Sequence, residues 1–254
     1  MDKRLEGKVA VITGSGGSIG RAACLAFCAS GAKVVGSDIN SETARATLDL
    51  VEAAGGEMIS VDPCDLAEAI QAERLIAKAV DTYGHIDILY NNGAMAYFDW
   101  FADMSFDTFS QTMRDELDIV FQVTKAAWPY LIENGSGSVI NTGSVSGMIC
   151  YRVVPGLAHS AAKAGVIGMT RHLAMEGAPH NIRANTLSPG LIETNQTQAF
   201  MEDKDWWEPM REKIMLGRIG KPAEVALAAV FLASDDSSFV TGANIPVDGG
   251  TTAW

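Results

Sequence analysis

Basic residues are scarce in this sequence: 19 Lys and Arg stand against 31 Asp and Glu, giving a net charge of −12. A field of that sign repels phosphate backbones, and no Lys/Arg cluster interrupts it, so nucleic acid is excluded as a partner. Long apolar runs are also missing. The longest, Val225 to Ala233, is too short to cross a bilayer, and Val9 to Ile12 is too brief for the core of a signal peptide. A cytoplasmic protein without membrane association is expected. The four cysteines, Cys24, Cys28, Cys64 and Cys150, contain no C-x-x-C pair and read as reduced structural thiols. His85, His159, His172 and His180 form no His-Glu-x-x-His or comparable cluster, so no metal site is expected. Linkers, internal repeats and low-complexity tracts are absent, which leaves residues 1–254 as one domain.

What is present is ample material for a core: 254 residues, 48% of them apolar. Short β-branched runs alternate with longer helical patterns. The predicted strands are Lys8 to Thr13, Lys33 to Asp38, Met58 to Asp62, Ile86 to Asn91, Gly137 to Thr142, Asn181 to Leu187 and Ala243 to Val247. Strands separated by helices imply parallel crossover units, and near-continuous apolar runs such as Val9-Ala10-Val11-Ile12 imply helices covering both sheet faces. The expectation is an α/β fold, a doubly wound sheet of seven mostly parallel strands. One stretch breaks the regularity: Asn195 to Leu216, with Phe200, Met201, Trp206, Trp207 and Pro209, reads as an inserted substrate lid.

Directly after the first strand comes Thr13-Gly14-Ser15-Gly16-Gly17-Ser18-Ile19-Gly20, opening a helix. Glycines there let the backbone turn tightly and approach a pyrophosphate at the helix N-terminus, where free N–H groups and the dipole favour negative charge. The second strand ends in Asp38, whose carboxylate can accept from the adenosine ribose hydroxyls and repels a 2′-phosphate. That combination predicts NAD as cofactor, with Asp38 as a mere helix cap the competing reading.

These features, taken with Asn91-Asn92 after the fourth strand, Ser144, the Lys163 helix, Ser188-Pro189-Gly190-Leu191-Ile192-Glu193-Thr194, Arg218 to Ala226 and Val247-Asp248-Gly249-Gly250, resemble the classical short-chain dehydrogenase/reductase family across essentially the whole chain. The resemblance implies a Rossmann-like fold. It also implies that Gly14, Ile19 and Gly20 hold the pyrophosphate, Asp38 the ribose and Asp62 the adenine amino group. Asn91 would lie near the adenine ribose, Ile192 and Thr194 at the nicotinamide carboxamide, and Pro63, Pro189 and Lys163 in the same cofactor set. The middle glycine of the family motif is Ser18 here, which places a side chain in the phosphate turn, and the usual Asn-Asn-Ala-Gly is Asn91-Asn92-Gly93-Ala94.

The same resemblance implies four catalytic positions: a Ser that polarises the substrate oxygen, a Tyr that moves the proton, a Lys that supports both Tyr and ribose, and an Asn that orders a water. Ser144 and Lys163 match, the former with Ser146 beside it. The Tyr position is His159 and the Asn position is Glu116. His159 and Lys163 stand one helical turn apart on one face. Neutral imidazole is a competent base for a secondary alcohol, although it is shorter than phenol by about 2 Å and must still come within hydrogen-bond reach. Tyr151, in the preceding loop, is expected in the pocket wall.

Met95, Tyr97, Phe98, Trp100 and Phe101 cluster after the fourth strand, and Trp206 and Trp207 sit in the lid. Both groups leave carboxyl ends of strands, where open α/β sheets bind ligands, so a small hydrophobic, ring-containing substrate is expected. Family members pair the Phe106 to Asn134 helix and the Lys163 helix across dyads, which implies a homodimer or homotetramer. Three functional readings stay open: an NAD-dependent dehydrogenase using His159; a lyase, hydrolase or isomerase exploiting His159 and Glu116; and a catalytically silent dinucleotide-binding protein.

Overall fold

The computed structural model describes residues 3–194, 197 and 202–254. Seven strands form its sheet: β1 (Val9–Thr13), β2 (Lys33–Ser37), β3 (Glu57–Val61), β4 (Ile88–Asn91), β5 (Gly137–Thr142), β6 (Ile182–Pro189) and β7 (Asn244–Val247). They lie in the order β3-β2-β1-β4-β5-β6-β7. Every pairing is parallel, so the expected mostly parallel sheet is parallel throughout. The strands form where they were read, with shifted ends. The fourth begins at Ile88 because the Asp87 carboxylate turns back to accept the Val9 N–H at 2.8 Å.

Helices cover both faces, as continuously buried strands such as β1 require. Helices α1 (Ser18–Ala29) and α8 (Pro222–Ala233) pack one face, in a cluster with Phe27 stacked on Tyr90 at 6.2 Å. On the other face lie α3 (Ala69–Tyr83), α5 (Ile119–Asn134) and α6 (Leu157–Gly177), where Leu75, Val123, Leu131 and Val166 are sealed from solvent. Helix α2 (Ser41–Ala53) flanks the β3 edge. Among the described residues no helix is long and apolar enough to cross a membrane.

The helix expected over Phe106 to Asn134 has three parts: α4 (Phe106–Met113), a π-helical turn (Arg114–Asp118) and α5. A π turn widens the backbone by one residue and redirects the side chains it carries. Here it turns Glu116 inward, where only 2% of the residue is exposed. Helix α7 (Lys204–Glu212) belongs to the stretch read as a lid. Residues 195, 196 and 198–201 of that stretch, Phe200 and Met201 included, lie outside the described residues.

Connections leave β1 and β4 in opposite directions, so a crevice opens at the carboxyl ends of these neighbouring strands.

Candidate active site

At that crevice β1 ends in Thr13, whose hydroxyl oxygen accepts from the N–H groups of Asn92 (3.0 Å) and Gly93 (2.9 Å). This clamps the end of β4 against the glycine-rich turn. Gly14 adopts φ +66°, and a Cβ there would stand 2.6 Å from the Gly93 Cα, so a side chain would force the two loops apart. Gly20 packs against the Gly14 carbonyl from inside α1. The N-cap of α1 is Gly17, which offers no side chain, so the first-turn N–H groups of Ser18 and Ile19 face the crevice end of the helix without a capping acceptor. The Ser18 side chain is half-buried at the first helical position.

Asp38, one residue beyond β2, accepts the Gly16 N–H on Oδ2 and the Asn40 N–H on Oδ1, each at 2.9 Å. Helix α2 is capped instead by Asn40, whose side-chain oxygen accepts from Glu42 and Thr43. Asp38 is therefore a brace of the phosphate turn and not a helix cap. Asp62 accepts from the Ser60 hydroxyl at 2.6 Å, with Pro63 following through a cis peptide bond. The Asn91 Nδ2 donates to Thr124 (3.0 Å) and Asn141 (2.8 Å). On the far rim Pro189 ends β6, and Ile192 buries its side chain in the core while pairing with Gly220. The Thr194 hydroxyl lies 3.2 Å from that of Thr197.

The catalytic positions converge on α6. His159 Nδ1 lies 2.7 Å from Glu116 Oε2, and Lys163 Nζ lies 3.3 Å from Glu116 Oε1. Lys163 also donates to the Thr142 carbonyl at 3.2 Å. Two of its three ammonium hydrogens are thus engaged and the third is free. Glu116 and Lys163 side chains are 3% and 4% exposed, whereas the His159 side chain keeps 16%. Burial alone would raise the Glu116 carboxyl. The Lys163 ammonium and the His159 contact outweigh burial and hold it below its ordinary 4.5, as a carboxylate. A proton on Nδ1 donated to that carboxylate leaves the Nε2 lone pair free, and Nε2 has no partner among the described residues.

Ser144 accepts the Ser146 N–H at 3.1 Å, leaving its own proton to donate. The turn it opens packs on α6 because Gly147 has no side chain: a Cβ would stand 2.9 Å from the Ala164 nitrogen. No hydrogen bond joins Ser144 to His159, so the two are separate arms of the site. Tyr151 is apart from both. Its ring joins Trp206, Trp207, Leu191, Met210 and Ile214 in a small separate apolar cluster, and burial pushes its hydroxyl up to about 12. Trp206 and Trp207 thereby tie α7 to the loop before α6. Met95 is half-exposed, and Tyr97 donates its hydroxyl to Asp115 at 3.1 Å. Phe98, named in the sequence only as part of an aromatic row, meets the His159 ring at a tilt, centroids 5.6 Å apart. A cavity of about 430 Å³ lined by Leu191, Ile192, Met215, Leu216 and Arg218 lies at that far rim, and its lining includes none of Ser144, His159, Lys163 and Glu116. Among the described residues no cluster of His, Cys, Asp and Glu is arranged to hold a metal.

Comparison with known proteins agrees with this fold. A family model described as enoyl-(acyl carrier protein) reductase matches residues 14–252. The chain is 41% identical to the 3-oxoacyl-[acyl-carrier-protein] reductase FabG of Thermotoga maritima, over 97% of this chain and 98% of the relative. It is 33% identical to the 2,5-dichloro-2,5-cyclohexadiene-1,4-diol dehydrogenase LinX of Sphingobium indicum, over 98% of each. A proposed 2-deoxy-D-gluconate 3-dehydrogenase of Agrobacterium tumefaciens, crystallised with bound NADP, superposes with a TM-score of 0.90 at 33% identity, covering 98% of each chain. The sheet order, the family-model match over residues 14–252 and the near full-length identity to dehydrogenases and reductases make this chain a member of the short-chain dehydrogenase/reductase family of nicotinamide-dinucleotide oxidoreductases.

Proposed function

We propose that the protein is an NAD(H)-dependent oxidoreductase that interconverts a secondary alcohol and a ketone on a small, hydrophobic, ring-containing substrate, with His159 as the acid/base. The observation that carries this is the 2.7 Å contact between His159 Nδ1 and the buried Glu116 carboxylate. It fixes the tautomer that presents Nε2 as a base, and the same carboxylate stabilises the imidazolium once a proton arrives.

The cradle fits a dinucleotide: uncapped N–H groups of Ser18 and Ile19 suit a pyrophosphate, and Gly14 and Gly20 leave room for close approach. Asp38 stands where the adenosine ribose would lie, and the exposed Ile39 beside it offers no cation to a 2′-phosphate. This favours NAD, although one relative was crystallised with NADP. When bound, the nicotinamide supplies the hydride acceptor or donor. In the oxidation direction Ser144 donates to the substrate oxygen and polarises it, Nε2 of His159 removes the hydroxyl proton, and Glu116 holds the resulting imidazolium. The remaining N–H of Lys163 would hold the ribose hydroxyls of the bound dinucleotide. A substrate seated closer to α6, or one bridging water, makes up the shorter reach of imidazole.

A homodimer or homotetramer in the cytoplasm completes the proposal. It is supported by a groove of about 260 Å³ between α5 and α6 lined by Phe121, Trp128, Met169 and Leu173, with Phe121 half-exposed. The experiment is the growth of absorbance at 340 nm with NAD⁺ and a panel of aryl and alicyclic secondary alcohols. NADH formation is expected; no NADH formation with any of the alcohols and no NADH consumption with any of the corresponding ketones defeats the proposal.

A further inference from the structure

Two supports of the His159 ring hang from one turn. The π-helical segment Arg114–Asp118 points Glu116 at Nδ1, and the adjacent Asp115 points the other way, toward the loop that follows β4. Asp115 holds that loop at two places: its carbonyl accepts the Met95 N–H at 3.2 Å, and its carboxylate accepts the Tyr97 hydroxyl at 3.1 Å. Arg114 pins the other carboxylate oxygen at 2.7 Å while reaching Asp65 at 2.9 Å. The Tyr97 N–H adds a bond to Thr112 at 3.3 Å, and Asp99 pairs with Gly156, the residue that precedes α6.

Between these anchors the Phe98 ring is set against His159, centroids 5.6 Å apart and planes tilted by 51°. Phe98 is nevertheless 49% exposed, so part of its ring remains open beside the imidazole. Half-exposed Met95 lies in the same loop, and half-exposed Leu157 opens α6. An open aromatic surface next to a proton-transfer atom favours a flat apolar group, because aromatic pairs gain from offset or edge-to-face contact at centroid distances of about 4.5–7 Å.

We propose that Phe98 is the specificity-determining residue of this site, and that Asp115 and Tyr97 position it. It selects substrates whose reacting carbon bears an aromatic or similarly flat apolar group directly attached. This rests on the oxidoreductase reading above for its kinetic arm and on ligand binding alone for its spectroscopic arm.

The test uses the full-length protein saturated with NAD⁺, with 1-phenylethanol and 2-butanol as paired substrates. Phe98→Ala is expected to raise KM for 1-phenylethanol about tenfold and KM for 2-butanol less than twofold, with Phe98→Tyr restoring the wild-type ratio. Tyr97→Phe is expected to raise the 1-phenylethanol KM by a smaller factor. Equal changes for both alcohols, or no rescue by Phe98→Tyr, overturn the proposal. If the wild type turns over neither alcohol, the redox reading is left to the wider panel above and nuclear magnetic resonance of the His159 ring protons decides this one. Phe98→Leu should shift those resonances by removing the ring current, and acetophenone should displace them in the wild type while 2-butanone does not. Unmoved resonances in either measurement overturn it.

Discussion

Glu116 Oε2 sits 2.7 Å from His159 Nδ1, so the two residues proposed to stand where the family pattern has Asn and Tyr are in direct contact. An isolated Tyr-to-His exchange would leave the imidazole free to take either tautomer. An isolated Asn-to-Glu exchange would bury a carboxylate beside Lys163 alone. Together they form an oriented base with a built-in counter-charge. Glu116→Gln keeps the shape and removes the charge. It is expected to lower kcat by about 100-fold with KM nearly unchanged, as measured by steady-state kinetics.

The contact also predicts coupling. Glu116→Asn and His159→Tyr should each be severely impaired, whereas the double variant regains a tyrosine site and exceeds both. A double-mutant cycle on kcat/KM should give a coupling of roughly 1–3 kcal/mol, and additive losses would separate the two residues.

Lys163 bears on stability as well as on cofactor binding. Lys163→Met leaves the Glu116 carboxylate buried with only His159 for company, and breaking a buried pair by removing one partner costs about 3–5 kcal/mol. For a chain of this size that lowers Tm on the order of 10 °C by calorimetry, and adding Glu116→Gln should recover most of it.

Acid sensitivity follows from the direction of the Glu116 shift. Its carboxyl is depressed in the folded state below 4.5, so its stabilising contribution is complete above that pH and is lost as pH falls through the lower folded value. Denaturant melts from pH 6 downward should show Glu116→Gln losing less stability than the wild type in that acid window.

Asp38 braces Gly16 and Asn40 while facing the proposed ribose site, so Asp38→Ala should act on both. NADH binding, followed by fluorescence titration, is expected to weaken about tenfold, near 1.4 kcal/mol, and discrimination against NADPH should fall. Tighter NADPH than NADH binding by the wild type would reverse the cofactor assignment.

How far the sequence alone reaches can be judged residue by residue. The strands were legible because burial on both faces makes them continuously apolar, and the phosphate turn because its glycines follow such a strand. His159 and Lys163 could be paired from helical spacing. A pairing of Glu116 with Lys163 could be offered too, but the Glu116 contact with His159 could not, since it depends on a π turn, and one extra residue in a helical ring has no periodic signature. The amide partners of Asn91, Thr124 and Asn141, were hidden for a related reason: they come from distant elements, and a polar residue at a strand end looks the same whether it faces a ligand or the core. Phe98 was lost in an aromatic row because adjacency in sequence does not tell which ring meets the imidazole.

The central claim is that His159 moves the proton. With NAD⁺ and 1-phenylethanol, NADH production followed at 340 nm should fall by about 10²–10⁴-fold in His159→Gln while the NADH dissociation constant stays within twofold of wild type. An unchanged rate in that variant would contradict the account.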